Sequence, residues 1–90
     1  MSGGRYRVLT EKPFDRAVAR LDRPIARRIL KALLELEELD DPTTRCKALS
    51  GPLTGLWRLR VGDYRVILDI RRAELIVLAL DVGNRSTIYD

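Results

Sequence analysis

Between Trp57 and Ile70 the chain alternates in a way that few folds can accommodate. Trp57, Leu59 and Val61 interleave with Arg58 and Arg60, and after Gly62-Asp63 the residues Tyr64, Val66, Leu68 and Ile70 interleave with Arg65, Ile67 and Asp69. A period of two marks strands with one buried face, and a Gly-Asp pair between two such runs is hairpin-turn chemistry. With Gly62 and Asp63 as the two loop residues, Val61 stands opposite Tyr64, and Arg60 stands opposite Arg65 on the sheet's other surface. Like charges placed directly across a ladder destabilise it, by an amount comparable to the ~0.2–1 kcal/mol that a favourable pair contributes. Folding alone would not choose that register.

Arg58 extends the same row. Guanidinium groups stay charged at physiological pH and offer planar, forked donors, so three of them on rigid strands form a phosphate-binding surface. The plainer explanation is that outward arginines keep a sheet edge soluble. Ile67, on the same alternation as Arg65, and the apolar run from Leu75 to Leu80 weigh against it, because they predict a partly covered face and hence a groove.

Around the hairpin the sequence predicts βααβββ plus a tail. Arg5 to Thr10 alternates as a short strand after a flexible lead over residues 1–4. Thr10 and Pro13 suit the start of a helix, and Phe14, Ala17, Val18 and Leu21 form its apolar stripe. Asp22-Arg23-Pro24 starts a second helix whose core face is Ile25, Ile29, Leu33 and Leu36, ended by Asp40-Asp41-Pro42. Arg27, Arg28 and Lys31 lie on its outer side, where pairing with Glu35 and its neighbours at helical spacing is expected. Thr43 to Gly55 reads as a connector anchored by Leu49 and Leu53. Arg71-Arg72-Ala73 reads as a turn, Glu74 to Val82 as a nearly continuous apolar strand, and Gly83-Asn84 as its break.

Composition narrows the chemistry. Ninety residues with 46% hydrophobic and 33% charged side chains suit one small globular domain spanning 1–90. The longest apolar run is too short to span a bilayer and the first residues lack a secretory pattern, so a cytoplasmic protein with no membrane partner is expected. Cys46 is the one cysteine and there is no histidine, which excludes zinc sites of the usual composition and Cys-His or Ser-His dyads; no cofactor is implied. Any catalysis must use Arg, Lys, Tyr, Asp or Glu. The net charge of +4 points to a polyanionic partner. At the tail, Arg85 and Tyr89 join a cation to a ring that can stack on an unpaired base, a combination suited to RNA, although from the residues alone a Tyr89 ring packed on the sheet and a solvated Arg85 is the plainer explanation.

The stretch from Lys47 to Val66, including Leu53-Thr54-Gly55-Leu56-Trp57-Arg58 and Gly62-Asp63-Tyr64-Arg65, closely resembles the RelE/ParE superfamily of toxin–antitoxin toxins, as does the ending from Val82 to Tyr89. The resemblance covers nearly the whole chain. It implies an α+β fold, a helical hairpin packed on a small, mainly antiparallel twisted sheet, and a toxin neutralised by a cognate RelB-like antitoxin. In the RelE branch, which is favoured here, it further implies an endoribonuclease that cuts mRNA in the ribosomal A site by attack of a 2′-hydroxyl on the adjacent phosphate. The family's functional positions fall on Arg60, Arg65, Arg85 and Tyr89 as catalytic residues, with Arg58 and Lys47 as RNA contacts. Some relatives carry lysines where Arg58 and Arg60 stand. An arginine, with a pKa above about 12, is a poor proton acceptor, so no general base is assigned. The alternative is a ParE-like inhibitor of DNA gyrase without nuclease activity.

Overall fold

A computed structural model describes residues 5–84. Its order is β1 (Arg7–Thr10), α1 (Lys12–Ala19), α2 (Arg23–Leu36), β2 (Lys47–Ala48), β3 (Trp57–Val61), β4 (Tyr64–Arg71) and β5 (Ile76–Asn84), with 3₁₀ turns at Pro42–Arg45 and Gly51–Leu53. The five strands form one sheet in the order β1-β5-β4-β3-β2. β1 runs parallel to β5, and every other pairing is antiparallel. The helical hairpin connects β1 to the rest of the chain, as a parallel pairing requires of its crossover.

Both helices cover one face of the sheet. Phe14, Ile29, Leu33 and Leu36 close over Tyr6, Leu59, Val66, Leu68, Val77, Ala79 and Val82 to make the core. Ala17, Val18, Leu21 and Ile25 pack at its margin, so the apolar stripes expected of both helices are the ones that are used. Each large aliphatic side chain fully buried there contributes roughly 1.5–3 kcal/mol. No helix among the described residues is long and apolar enough to cross a membrane.

Local details depart from the sequence expectation for identifiable reasons. Thr10 is the last residue of β1, not a helix cap. Glu11 takes the N-cap position and donates its N–H to the Ala79 carbonyl at 2.9 Å, so the sheet sets where α1 begins. Asp22 does occupy the N-cap position of α2, with Pro24 just inside, but its carboxylate makes no capping hydrogen bond. α2 stops at Leu36, short of Asp40, because the N–H groups of Glu37, Glu38 and Leu39 turn to carbonyls three residues back, at 3.0, 3.1 and 3.2 Å. That tightening brings the Glu37 carboxylate to the Val8 N–H at 2.8 Å, satisfying a donor on the edge strand β1. Asp41 then caps the following turn, accepting from the Thr43 N–H at 3.1 Å and the Thr43 hydroxyl at 2.6 Å. These bonds hold its carboxyl below the usual range.

The expected connector contains a fifth strand, β2, too short to show a period. β5 begins at Ile76 after Leu75, which has φ 57°, and continues through Gly83-Asn84, where a break was expected. Pairing decides the outcome: Gly83 and Asn84 lie opposite Arg65 and Tyr64 on β4. Between Ile67 and Leu68 the β4–β5 register shifts, so that Ile67 faces Asp81 and Leu68 faces Ala79, leaving Leu80 as the extra residue of a bulge.

Candidate nucleic-acid interface

The hairpin register is the one the turn chemistry dictates. Val61 pairs with Tyr64, Arg60 with Arg65 and Arg58 with Ile67. Gly62, at φ 60°, supplies the positive φ that a two-residue loop demands. Leu59 and Val66 point to the helices, so by alternation Arg58, Arg60 and Arg65 belong to the opposite surface. β2 extends that surface. It pairs Lys47 directly with Arg58, which sets two cationic rows side by side, Lys47–Arg58 and Arg60–Arg65.

The four side chains differ in exposure. Lys47 and Arg60 are exposed and Arg58 is half-buried, whereas Arg65 retains only 9% of its surface. Ile67 is buried at 6% and so is Leu49, and neither belongs to the helix-side core. The expectation of a partly covered face therefore holds. Across β4 from Arg60, the position beside Arg65 is Gly83, which contributes no side chain to the row. Asp81, opposite Ile67, puts one carboxylate at the far side of the face, where its Oδ1 accepts the Val82 N–H at 2.8 Å. At the other end of β4, Arg71 binds Asp69 at 3.0 Å and Glu74 at 3.6 Å. Those two carboxylates raise the Arg71 pKa further.

Cations fixed on rigid strands suit a phosphodiester backbone. The family model described as the ParE toxin of type II toxin–antitoxin systems, parDE, matches residues 8–89. The chain belongs to this toxin family, within the RelE/ParE superfamily. No curated protein sequence matches it. Among solved structures, the fold is similar to a chain of the RelBE2 toxin–antitoxin complex from Mycobacterium tuberculosis, with TM-score 0.82 and 24% identity over 96% of this chain and 95% of that one. It is similar to a chain of the archaeal RelE–RelB complex from Pyrococcus horikoshii, with TM-score 0.72 and 29% identity over 92% and 98%. A chain of the intact Escherichia coli RelBE complex matches at TM-score 0.67 and 16% identity, over 88% and 95%.

Of the site residues expected for this toxin, Lys47, Arg58, Arg60 and Arg65 come together on one surface. Arg85 and Tyr89 lie outside the described residues. Arg28, expected on the outer side of α2, is exposed and also reaches the hairpin turn. A side-chain carbon on Gly62 would sit 3.1 Å from its Nη2 atom, so the α2 guanidinium rests against the hairpin turn. Ile25, Arg28, Val61, Asp63 and Tyr64 line a small cavity of about 110 Å³ there. The available signal was that residue 28 follows Ile25 by one helical turn and adjoins Ile29, which places it at the border of the buried stripe.

Proposed function

We propose that this toxin is a ribosome-dependent endoribonuclease that cuts mRNA in the ribosomal A site and so arrests translation in the cytoplasm. The reading is supported chiefly by the direct cross-strand opposition of Arg60 and Arg65, flanked by Lys47 and Arg58. In the proposed step a ribose 2′-oxygen attacks the adjacent phosphorus. The new 2′-O–P bond forms with loss of the 2′-hydroxyl proton to solvent, the P–O5′ bond breaks with uptake of a proton from solvent on O5′, and the products are a cyclic phosphate and a 5′-hydroxyl. Negative charge builds on the non-bridging oxygens, and cations already held in place stabilise it without reorganising. Arg60 and Arg65 take that role, with Lys47 and Arg58 holding the neighbouring backbone. From the family resemblance, Arg85 serves the leaving oxygen and Tyr89 stacks on the substrate base. Arg and Lys keep their protons at neutral pH, so these cations supply charge and not proton removal.

The toxin acts as a single domain and is neutralised by a RelB-like antitoxin, an acidic, partly disordered chain that lays a helix or strand across the helical hairpin and sheet. Purified toxin added to translating ribosomes is expected to produce A-site cuts, read by mapping the 5′ ends of the fragments, and Arg65→Ala is expected to abolish them. Saturating antitoxin is expected to stop the cutting.

A second reading is inhibition of DNA gyrase, favoured by the match to a family model that carries the ParE name. Loss of supercoiling activity with intact mRNA would decide for it.

A further inference from the structure

The outer face of α2 carries an arrangement that neither the core nor the cationic sheet surface uses. α2 sends Ile29, Leu33 and Leu36 into the core at 0–1% exposure, yet Leu30 and Leu34 stay 42% and 56% exposed. A helix at the surface of a small fold normally has polar residues there. The two leucines share a shallow concavity of about 490 Å³ with Arg27, Lys31, Glu35 and Glu38. These positions recur at intervals of three and four, the spacing that lines one side of a helix as a seam for another helix.

The charges along the seam are sorted. Both cations precede Leu34 and both carboxylates follow it, Glu38 in the tightened turn just past the end of α2. The helix gains nothing from this order: its own dipole favours anions near the start and cations near the end, and Lys before Glu at i,i+4 is the weaker orientation. The first turn of α2 has no acidic residue and its last turn no basic one. Lys31 and Glu35 are also not paired as expected, since among the described residues none of the four charges makes an ion pair.

The order becomes favourable if a second copy lies antiparallel across a twofold axis. Arg27 then faces Glu38 of the other copy, Lys31 faces Glu35, and Leu30 faces Leu34. The midpoints of these three pairings all fall within half a residue of one level, between Ala32 and Leu33. Twofold symmetry makes every pairing twice, and a twofold interface must be self-complementary in this way. We propose that the Leu30–Leu34 seam is a homodimer interface, with α2 packed antiparallel on α2 of a second copy. The cationic rows lie on the opposite surface of the sheet, so both remain accessible in the dimer. The proposal is independent of whether those rows cut RNA.

A single helix pair is a small interface, so a dissociation constant on the order of 10 μM is expected. Sedimentation velocity of the purified, antitoxin-free chain over a range of concentrations should show a reversible monomer–dimer equilibrium. Lys31→Glu and Glu35→Lys, each disrupting two symmetry-related pairs, should weaken the dimer roughly tenfold. The combined reversal, K31E with E35K, exchanges the partners and should restore affinity to within about threefold of the original. Leu34→Ser should weaken it by roughly a hundredfold while thermal unfolding stays unchanged, because the side chain lies outside the core. A chain monomeric at every concentration would overturn the proposal, as would a double reversal that binds no better than either single one. A monomer whose Leu34→Ser variant loses antitoxin binding would assign the seam to the antitoxin instead.

Discussion

The two surfaces of the sheet are built from the same strands and the same hairpin turn, but they obey different rules. Toward the helices, Leu59, Val66, Leu68, Val77 and Ala79 are buried at 0–6% exposure, and their cross-strand neighbours are apolar except Thr10, which stands opposite Ala79 on the edge strand β1. Every choice on that side favours folding. On the other side Lys47 opposes Arg58 and Arg60 opposes Arg65, an arrangement that costs stability wherever the charges are desolvated. One surface is chosen by the fold, and the other carries the cations on which the proposed function rests.

That contrast can be broken or sharpened by mutation. The largest effect on stability is expected on the helix side. Leu68→Ala should cost about 2–5 kcal/mol in denaturant unfolding, with cleavage per folded molecule unchanged. On the cationic side the large effect should be on chemistry. Arg65→Lys keeps the charge but removes the forked donors, and single-turnover cutting is expected to fall roughly 10²–10³-fold, the scale of losing one transition-state donor. A smaller effect concerns affinity: four cations on single-stranded RNA should give a log–log salt dependence with a slope of about −3, reduced by about one unit in Lys47→Ala.

Cys46 gives the same contrast in terms of ionisation. It packs against the helix-side core, and burial, aided by the charge of Asp41, pushes its thiol up to about 11. The folded chain thus holds the thiol proton more tightly than the unfolded chain does. Above the ordinary thiol pKa the unfolded state ionises first, so stability should fall as pH rises from about 9 toward 11. Cys46→Ala should remove that part of the slope, and alkylation of Cys46 at pH 8 should be about a hundredfold slower than that of an unperturbed thiol. Comparing unfolding curves of the two proteins across this pH range checks the first expectation, and timed alkylation the second.

Much of this was legible in the sequence where a local rule had no competitor. A two-residue Gly-Asp loop leaves one register, so the opposition of Arg60 and Arg65 followed from counting. The stripes at Phe14 and at Ile29, Leu33 and Leu36 were equally plain. What stayed hidden was decided by partners distant in the chain. β2 is only Lys47–Ala48 and exists because β3 lies beside it. Gly83 and Asn84 carry strand-breaking chemistry but are held in β5 by β4. The end of α2 is set by Glu37 reaching the backbone of β1. Arg28 is exposed as expected, but its contact with the hairpin turn could not be foreseen, because no local pattern says which distant turn a helix will meet.

The central claim is that the cationic face is kept at the expense of folding for the sake of a phosphodiester, and Arg60→Thr tests it most directly. The account predicts that unfolding free energy stays level or rises by about 0.2–1 kcal/mol as the Arg65 repulsion is relieved, while mRNA cutting falls at least tenfold. A variant that loses stability yet cuts mRNA as before would contradict it.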